Sequence, residues 1–171
     1  MTPPLLSYSL PCPVTALGVL VTPEDGVVRA AGYGPPEEQL QRLAPALRER
    51  GTTPGGADDP VAKAVAAYAA GDLTALDAVT VEQPGGPFLQ RVWTAMRAVP
   101  AGRTATYAQL AAAAGSPTAV RAAGSACARN LLAPFVPCHR ILRTGGGLGG
   151  YRYGLGVKEE LLRHEGTLPP V

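Results

Sequence analysis

The sequence predicts an α+β protein: a small N-terminal α/β domain with a β-hairpin or short antiparallel sheet, followed by a mostly helical, winged helix-turn-helix-like C-terminal domain. Two observations predict this class. Apolar, partly β-branched segments come early in the chain. The second half instead shows successive helical patterns separated by short turns that contain glycine. A chain of 171 residues can bury one good core or two small ones.

The charge changes sign between the two halves of the chain. Residues 1–85 contain five Lys and Arg against ten Asp and Glu, a net charge of −5, whereas residues 86–171 contain ten against three, a net charge of +7. We therefore predict two domains, 1–85 and 86–171. A basic half beside an acidic half indicates a polyanionic partner for the second domain. Chance segregation of solvated charge is the alternative.

The N-terminal domain opens with a predicted β-hairpin. Residues 14–21 and 27–33 are apolar and partly β-branched, and a Thr-Pro-Glu-Asp-Gly turn joins them. Residues 37–50 carry leucines at helical spacing, which predicts a helix, and residues 51–59 are expected to form a loop.

The rest of this domain contains weaker signals. Residues 60–70 are predicted to form a second helix with Pro60 in its first turn. Residues 79–81 could add a short strand. The Pro- and Gly-rich residues 82–87 are typical of a linker, and they lie where the charge changes sign. Nothing in this domain indicates a chemical role.

Four helices are predicted in the C-terminal domain, the last of them over residues 155–164. The first covers residues 88–98, with apolar residues at every fourth position. Thr106 and Gln109 form a capping-box pattern that opens a second helix to about Ala114, with Gly115 at its C′ position. Ser116 and Pro117 then suit the start of a third helix, residues 117–129. The second and third helices, joined by a short turn that contains glycine, form the helix-turn-helix pattern.

The third helix has an unusual composition for a helix that reads bases. Base discrimination in the major groove generally needs long polar side chains, but this helix shows Ala122, Gly124 and Ser125, with Arg121 near its start. Such a small-residue face could let the backbone approach the minor groove and hold phosphates with little sequence preference. Close packing against a neighbouring helix would favour the same residues.

Composition limits the other kinds of site. Three cysteines cannot all pair, and the only histidines are His139 and His164, so no zinc-ligand set and no metal site are expected. No basic N-terminal region followed by a long apolar run is present, which leaves the cytoplasm as the expected location.

Residues 135–142, Phe-Val-Pro-Cys-His-Arg-Ile-Leu, contain the candidate reactive centre. Cys138 lies between a proline and the pair His139 and Arg140, a setting that favours the nucleophilic thiolate. Adjacent side chains usually point apart, so His139 is expected to reach Cys138 through a water molecule. By itself, a neighbouring Cys and His would more often have a structural role.

The Pro-Cys-His-Arg motif of residues 137–140 resembles the active site of the O6-alkylguanine-DNA alkyltransferases, also called methylated-DNA–protein-cysteine methyltransferases. The resemblance extends from about Phe88 to Gly166, with the helices and the reactive segment in the order of that family. It implies DNA repair in which Cys138 accepts the alkyl group irreversibly, so that each molecule acts once.

The resemblance also implies the roles of other residues. His139 would be a base acting through water, and Glu165 would stabilise its charge. Asn130 would hold the turn before the reactive segment, and Tyr107 would donate a hydrogen bond toward N3 of guanine.

DNA contacts follow from the same resemblance. Arg121 would enter the duplex and fill the gap left by an extruded base, while Ala122, Gly124 and Ser125 would lie against the minor groove. Tyr151 and the backbone near Ile141 and Arg152 would line the pocket for the base. The expected partner is double-stranded DNA containing O6-alkylguanine, with no cofactor and no membrane, and the chain is expected to be a monomer.

Three positions depart from the family pattern or add to it. Leu131 stands where the family commonly has proline, so a looser chain is expected there. Tyr153 is bulkier than the residues usual at its position and could change which alkyl groups fit. Cys127 is a second thiol that could lie near the pocket, although packing is the expected role.

Other functions fit the residues less well. A protein that binds alkyl lesions without repairing them would lack the acceptor, and Cys138 is present. A cysteine hydrolase would need an oxyanion site, and no motif offers one. A winged-helix transcription regulator would leave residues 137–140 and Glu165 without a role.

Overall fold

The computed structural model describes residues 2–168. Its contacts divide the chain into two compact units. The first consists of the residues up to Gln83 together with Leu131–Phe135, and the second consists of Pro84–Asn130 together with the residues from Val136 onward. The sequence contained no signal that assigns residues 131–135 to the first unit. Within the described residues, no helix is both long enough and apolar enough to cross a lipid bilayer.

A four-stranded sheet forms the centre of the first unit. Its strands are β1 (Leu5–Cys12), β2 (Thr15–Thr22), β3 (Val27–Tyr33) and β4 (Thr52–Pro54), in the order β3-β2-β1-β4. Neighbours are antiparallel except β1 and β4, which are parallel. The predicted hairpin is confirmed as β2 and β3. The predicted loop 51–59 is wrong at β4, whose three residues are all exposed and therefore gave no hydrophobic signal.

Three helices pack in the first unit: α1 (Pro36–Gln41), α2 (Pro45–Arg48) and α3 (Pro60–Ala69). A short 3-10 helix, Ala75–Ala78, follows α3. The single helix expected over residues 37–50 is wrong, because Pro45 interrupts it. A proline disfavours helical backbone in the residue before it, and Ala44 is extended with ψ 150°.

The leucine spacing nevertheless identified the buried face of this broken helix. Leu43 packs into a core with Leu5, Leu20 and Ala30. Leu40 and Leu47 pack against the same core. The apolar period therefore predicted burial correctly, while the chain break at Pro45 decided the local geometry.

Residues 79–81 do not form the predicted strand. Only Val81 makes an isolated bridge, to Val28 of β3. The neighbouring segment 131–135 also joins this unit, since the backbone N–H of Ala31 donates to the carbonyl of Leu131 at 2.8 Å. The N–H of Leu131 donates to Oε1 of Gln83 at 2.7 Å. Leu131 is thus held at both backbone groups, and the looser chain expected there is not observed.

Helices dominate the second unit: α4 (Pro87–Arg97), α5 (Tyr107–Ala113), α6 (Val120–Ala128) and α7 (Leu155–His164). Buried residues of α4 include Val92, Trp93 and Met96, which confirms the predicted apolar face. The indole N–H of Trp93 donates to the carbonyl of Ala126 at 2.9 Å, so α4 and α6 are joined by a buried hydrogen bond as well as by packing.

The capping box at the start of α5 is confirmed. The backbone N–H of Gln109 donates to Oγ1 of Thr106 at 3.0 Å, and the N–H of Thr106 donates to Oε1 of Gln109 at 2.9 Å. At the other end, Gly115 has φ +85°, the left-handed conformation expected at C′.

The predicted start of α6 is wrong by three residues. Residues 116–119 form a turn, in which the N–H of Ala119 donates to the carbonyl of Ser116 at 2.9 Å. Pro117 fits the second position of such a turn as well as it fits the first turn of a helix. The sequence could not distinguish the two.

A two-stranded parallel sheet positions the reactive segment. Its strands are β5 (Ala105–Thr106) and β6 (Ile141–Leu142). Because β5 runs directly into α5 and β6 directly follows Cys138–Arg140, the pairing brings the start of α5 beside the reactive segment. Two-residue strands carry no recognisable periodicity, and the sequence did not predict this sheet.

Candidate active site

Cys138 lies at the start of a 3-10 helix, Cys138–Arg140, and its side chain borders a cavity of about 620 Å³. The residue is 9% exposed, so the thiol is shielded from bulk water but open to the cavity. Much of the remaining wall comes from helix α6, from the end of the glycine loop (residues 144–150) and from residues 151–153. A small group can therefore reach Sγ only from within this cavity.

Asn130 fixes the thiol and the backbone before it. Its Nδ2 donates to the carbonyl of Val136 at 2.8 Å and lies 3.4 Å from Sγ of Cys138. The side chain is buried. An amide N–H directed at sulfur stabilises a thiolate more than a thiol, because the thiolate is the stronger acceptor.

His139 points away from solvent and toward the end of α7. Its Nε2 lies 2.9 Å from Oε2 of Glu165, and both side chains are fully buried. The other ring nitrogen, Nδ1, has no hydrogen-bond partner among residues 2–168. Since a carboxylate only accepts, we assign the proton to Nε2, which leaves the lone pair on Nδ1 as the basic site.

Arg140 completes this buried group by a contact that the sequence did not reveal. Its Nε donates to Oε1 of Glu165 and its Nη2 donates to Oε2, each at 2.9 Å. Nη1 donates to the carbonyl of Val99 at 2.8 Å. The guanidinium of Arg140 is thus directed at the carboxylate of Glu165.

These contacts set the ionisation of the pair. Burial lowers the pKa of His139, and the hydrogen bond to Glu165 offsets only part of that effect. Burial alone would raise the pKa of Glu165, but the hydrogen bonds from Arg140 and His139 hold that pKa below its usual value. A neutral imidazole beside an ionised carboxylate is the resulting state, and a neutral imidazole can act as a base.

Lys158 supplies a buried cation. The residue has no exposed surface, and its Nζ donates to the carbonyls of Ile141 at 2.8 Å and Gly150 at 3.4 Å, and also to that of Leu148. Burial lowers the pKa of Lys158, while the charges of Cys138 and Cys127 act in the opposite direction. The signal in the sequence was a lysine on the apolar face of α7, three residues before Leu161.

Tyr107 stands at the N-terminus of α5 and lines the cavity. Burial raises its pKa, with contributions from Cys127 and Cys138, so its hydroxyl keeps its proton at neutral pH. The glycine loop passes close to that hydroxyl. Gly149 has φ +71°, and a Cβ built there would lie 3.1 Å from the Tyr107 oxygen, so a side chain at this position would be strained and crowded.

Comparison with known proteins identifies the family that has these residues. A family model described as 6-O-methylguanine DNA methyltransferase, DNA binding domain, matches residues 87–167. The chain is 45% identical over 121 residues to a methylated-DNA–protein-cysteine methyltransferase of Salmonella typhimurium, covering 71% of this chain and 68% of that protein. It is 36% identical over 148 residues to the protein of the same name from Mycobacterium bovis, covering 85% and 89%. The chain belongs to the methylated-DNA–protein-cysteine methyltransferase family.

The architecture agrees with this assignment. The crystal structure of Mycobacterium tuberculosis OGT in complex with DNA matches with a TM-score of 0.75 at 28% identity, covering 96% of this chain and 94% of that one. Both the family resemblance and the α+β class predicted from the sequence are confirmed.

Within this member of the family, the small residues of α6 face outward. Arg121, Ala122 and Ser125 are exposed, and a Cβ built on Gly124 would meet no atom within 4 Å. The packed positions are Ala123 and Ala126. Of the two interpretations of this helix, packing therefore does not explain residues 121, 122, 124 and 125.

Of the residues expected to line the pocket for the base, some border the cavity and one does not. Tyr151 and Arg152 line the cavity, as predicted. Ile141 is fully buried and is not part of the wall; its carbonyl is bound by Lys158. Tyr153 also lines the cavity, with its ring centroid 5.6 Å from that of Tyr151 in an edge-to-face arrangement.

Cys127 is not simply a packing residue. It lines the same cavity as Cys138 and is only partly buried. Burial and the nearby charge of Cys138 raise the pKa of Cys127 to about 12. Its thiol is therefore protonated while Cys138 is unmodified.

Proposed function

We propose that the chain repairs O6-alkylguanine in double-stranded DNA by transferring the alkyl group irreversibly to Sγ of Cys138, once per molecule. The observation that carries this proposal is the position of Cys138. Its sulfur borders the cavity and lies 3.4 Å from Nδ2 of Asn130. It stands beside a buried His139 whose Nδ1 has no hydrogen-bond partner within the described part of the chain. A positioned nucleophile next to an available base is the arrangement that covalent transfer needs.

The base step uses His139. Its Nδ1 accepts the thiol proton of Cys138 through a water molecule, and Glu165 stabilises the imidazolium that forms. Arg140 keeps Glu165 ionised throughout, because it binds both carboxylate oxygens. Asn130 stabilises the thiolate by its N–H.

The transfer step forms one bond and breaks one bond. Cys138 Sγ attacks the alkyl carbon, and the bond between that carbon and O6 of guanine breaks. Tyr107 donates its hydroxyl proton toward N3, so guanine leaves as a neutral base. The proton that His139 took from the thiol returns to Tyr107 through water, so both side chains end in their starting states. The product is a thioether, which thiol exchange does not reverse. That is why one molecule would repair one lesion.

Access requires the base to leave the duplex. Extruding a nucleotide costs a few kcal/mol, and an inserted side chain recovers part of the lost stacking. Arg121 is exposed near the start of α6 and also reaches the cavity wall, so it can occupy the vacated position. Ala122, Gly124 and Ser125 present a smooth surface that a minor groove can approach closely. Tyr151 and Arg152 would then contact the extruded base.

The proposal also covers the binding partner, the oligomeric state and the cellular location. The net charge of +7 on residues 86–171 supports binding to the phosphates of duplex DNA, which should weaken as salt rises. A monomeric state and a cytoplasmic location remain predictions.

Mass spectrometry of the alkylated chain tests the proposal. Incubation with duplex DNA containing O6-methylguanine should add one methyl group to the peptide that contains Cys138, with a yield limited to one methyl per chain. Cys138→Ser should bind the same DNA and acquire no methyl. An unmodified Cys138 peptide, or methylation of Cys12 or Cys127 alone, contradicts the transfer and leaves lesion binding without repair as the function.

A further inference from the structure

Cys127 is a second thiol in the cavity of the acceptor and has no role in the transfer of a simple alkyl group. It lies three residues before Asn130 at the end of α6, and the N–H of Asn130 donates to its carbonyl at 3.3 Å. The side chain of the same Asn130 lies 3.4 Å from Sγ of Cys138. Both cysteines therefore border one cavity, and Asn130 links them, with its backbone bound to Cys127 and its side chain near the thiol of Cys138.

A second nucleophile matters when the transferred group carries a second leaving group. After such a transfer, Cys138 holds a thioether whose far carbon is still electrophilic. Cavity walls confine that carbon, and confinement raises the effective concentration of a neighbouring nucleophile far above that of a reagent in solution. Cys127 is the nucleophile that the wall offers.

We propose that the chain captures bifunctional lesions of the O6-(2-haloethyl)guanine class as a two-carbon thioether bridge between Cys138 and Cys127. The inference rests on the proposed function, since the first of its two steps is transfer to Cys138. A disulfide would require the two sulfurs to come within about 2 Å of each other. Two intervening carbons allow a wider spacing, which suits thiols on different elements of one wall.

Atoms and charges balance in both steps. In the first step, Cys138 Sγ bonds to the carbon attached to O6, that C–O bond breaks, and guanine leaves. In the second step, the thiol of Cys127 loses its proton to water, its sulfur bonds to the carbon that carries the halogen, and halide leaves. No oxidant, metal or cofactor is needed.

The electrostatics of the wall favour this order. Burial is the largest cause of the raised pKa of Cys127, and while Cys138 is a thiolate its charge raises that pKa further. Alkylation turns Cys138 into an uncharged thioether and removes that cause. Lys158 remains, and its charge lowers the pKa of Cys127. The second thiol therefore becomes easier to ionise only after the first has reacted.

Peptide mapping of the reduced protein tests the bridge. The chain is incubated with duplex DNA carrying freshly prepared O6-(2-chloroethyl)guanine and, in a second arm, with 1,2-dibromoethane, which alkylates Cys138 without base extrusion. We expect the peptides of Cys127 and Cys138 to be joined through two carbons in most of the alkylated chains. Cys138 carrying a haloethyl or hydroxyethyl group, with Cys127 unmodified, overturns the inference.

Two variants control the result. Cys127→Ala should abolish the bridge and leave hydroxyethyl on Cys138, while Cys12→Ala, a buried cysteine of the first unit, should leave the bridged fraction unchanged. Scoring the bridge as a fraction of alkylated chains corrects for any change in the rate of the first step. Methyl transfer without bridging would contradict this inference alone, whereas failure of methyl transfer from O6-methylguanine would contradict the proposed function.

Discussion

Among single residues, Glu165 has the largest effect on the protonation state and orientation of His139, the proposed base. Three nitrogen atoms contact its carboxylate, two from Arg140 and one from His139. The residue itself lies just after the end of α7. A carboxylate at a helix C-terminus is disfavoured by the helix dipole. The bidentate contact from Arg140 offsets that cost and keeps the carboxylate ionised, so His139 can remain neutral without losing its orientation.

The pH dependence of transfer should report on His139. A lowered pKa means that the neutral base persists below the ordinary histidine value of about 6.5. We expect the single-turnover rate to be maintained down to that pH and to fall only at more acidic pH. Rapid-quench measurement of methyl transfer between pH 5 and 8 (about the range in which histidines titrate) would show the acid limb. A limb centred above the ordinary histidine value would contradict the assignment.

Glu165→Gln should move that limb to lower pH and reduce the rate, because the carboxylate favours the imidazolium. Removing one partner of a buried ion pair typically costs ~3–5 kcal/mol of folding free energy, so rates should be expressed per folded chain. His164→Gln is the matched control, since it removes the other histidine and should leave the limb in place.

Among the secondary-structure elements, helix α6 stands out because small residues occupy both its buried face and much of its exposed face. Its buried positions, Ala123 and Ala126, are alanines. Apart from Arg121, its outward positions 122, 124 and 125 carry little beyond Cβ. Glycine inside a helix costs roughly 0.5–1 kcal/mol relative to alanine. Nothing in the fold requires Gly124 to lack a side chain, since the space around it is open. The proposed approach of the DNA minor groove to this face would account for that cost.

Gly124→Ala should therefore separate stability from binding. The substitution should raise the free energy of unfolding by up to ~1 kcal/mol, as expected for glycine replaced in a helix, and should weaken affinity for duplex DNA. Urea denaturation and fluorescence anisotropy measure the two effects. Gly156→Ala in α7, where a Cβ also meets open space, serves as the control and should leave DNA affinity unchanged. Unaltered affinity in Gly124→Ala would argue that this face does not meet DNA.

Elements with a strong local cause were predictable from the sequence. The capping box at Thr106 and the apolar face of α4 depend on nearby residues, and both were confirmed. Strand β4 and the pair β5–β6 depend on partners far along the chain and are too short for a period, so they were missed. The same reason applies at the site: Glu165 was found through the family resemblance, whereas the contact from Arg140 is a tertiary one.

For the molecule as a whole, the main feature is that the chain returns to the first unit for five residues before it completes the second. Residues 131–135 belong to the first unit, between two stretches of the second. Within the first unit, Leu131 is bound through its N–H to the buried side chain of Gln83. A proline at position 131 would have no N–H, so this bond is specific to chains with another residue there.

Gln83→Leu should test that bond. It removes the acceptor and leaves the N–H of Leu131 without it, which should cost about 1–3 kcal/mol of folding free energy. Thermal or urea denaturation gives the value. Leu131→Pro should cost less in the Gln83→Leu background than in the parent chain, because the two substitutions remove the same hydrogen bond. Strictly additive costs would show that the bond contributes nothing.

Because residues 131–135 belong to the first unit, they also affect whether the C-terminal half can be transferred to another protein by gene fusion. A cut after residue 85 would yield a C-terminal fragment that retains residues 131–135 but lacks Ala31, the bridge partner of Leu132. Those residues would expose backbone groups ready to pair with another chain. A fusion or exchange that moves the reactive half alone is therefore expected to be stable only where the host protein supplies residues that pair with this segment.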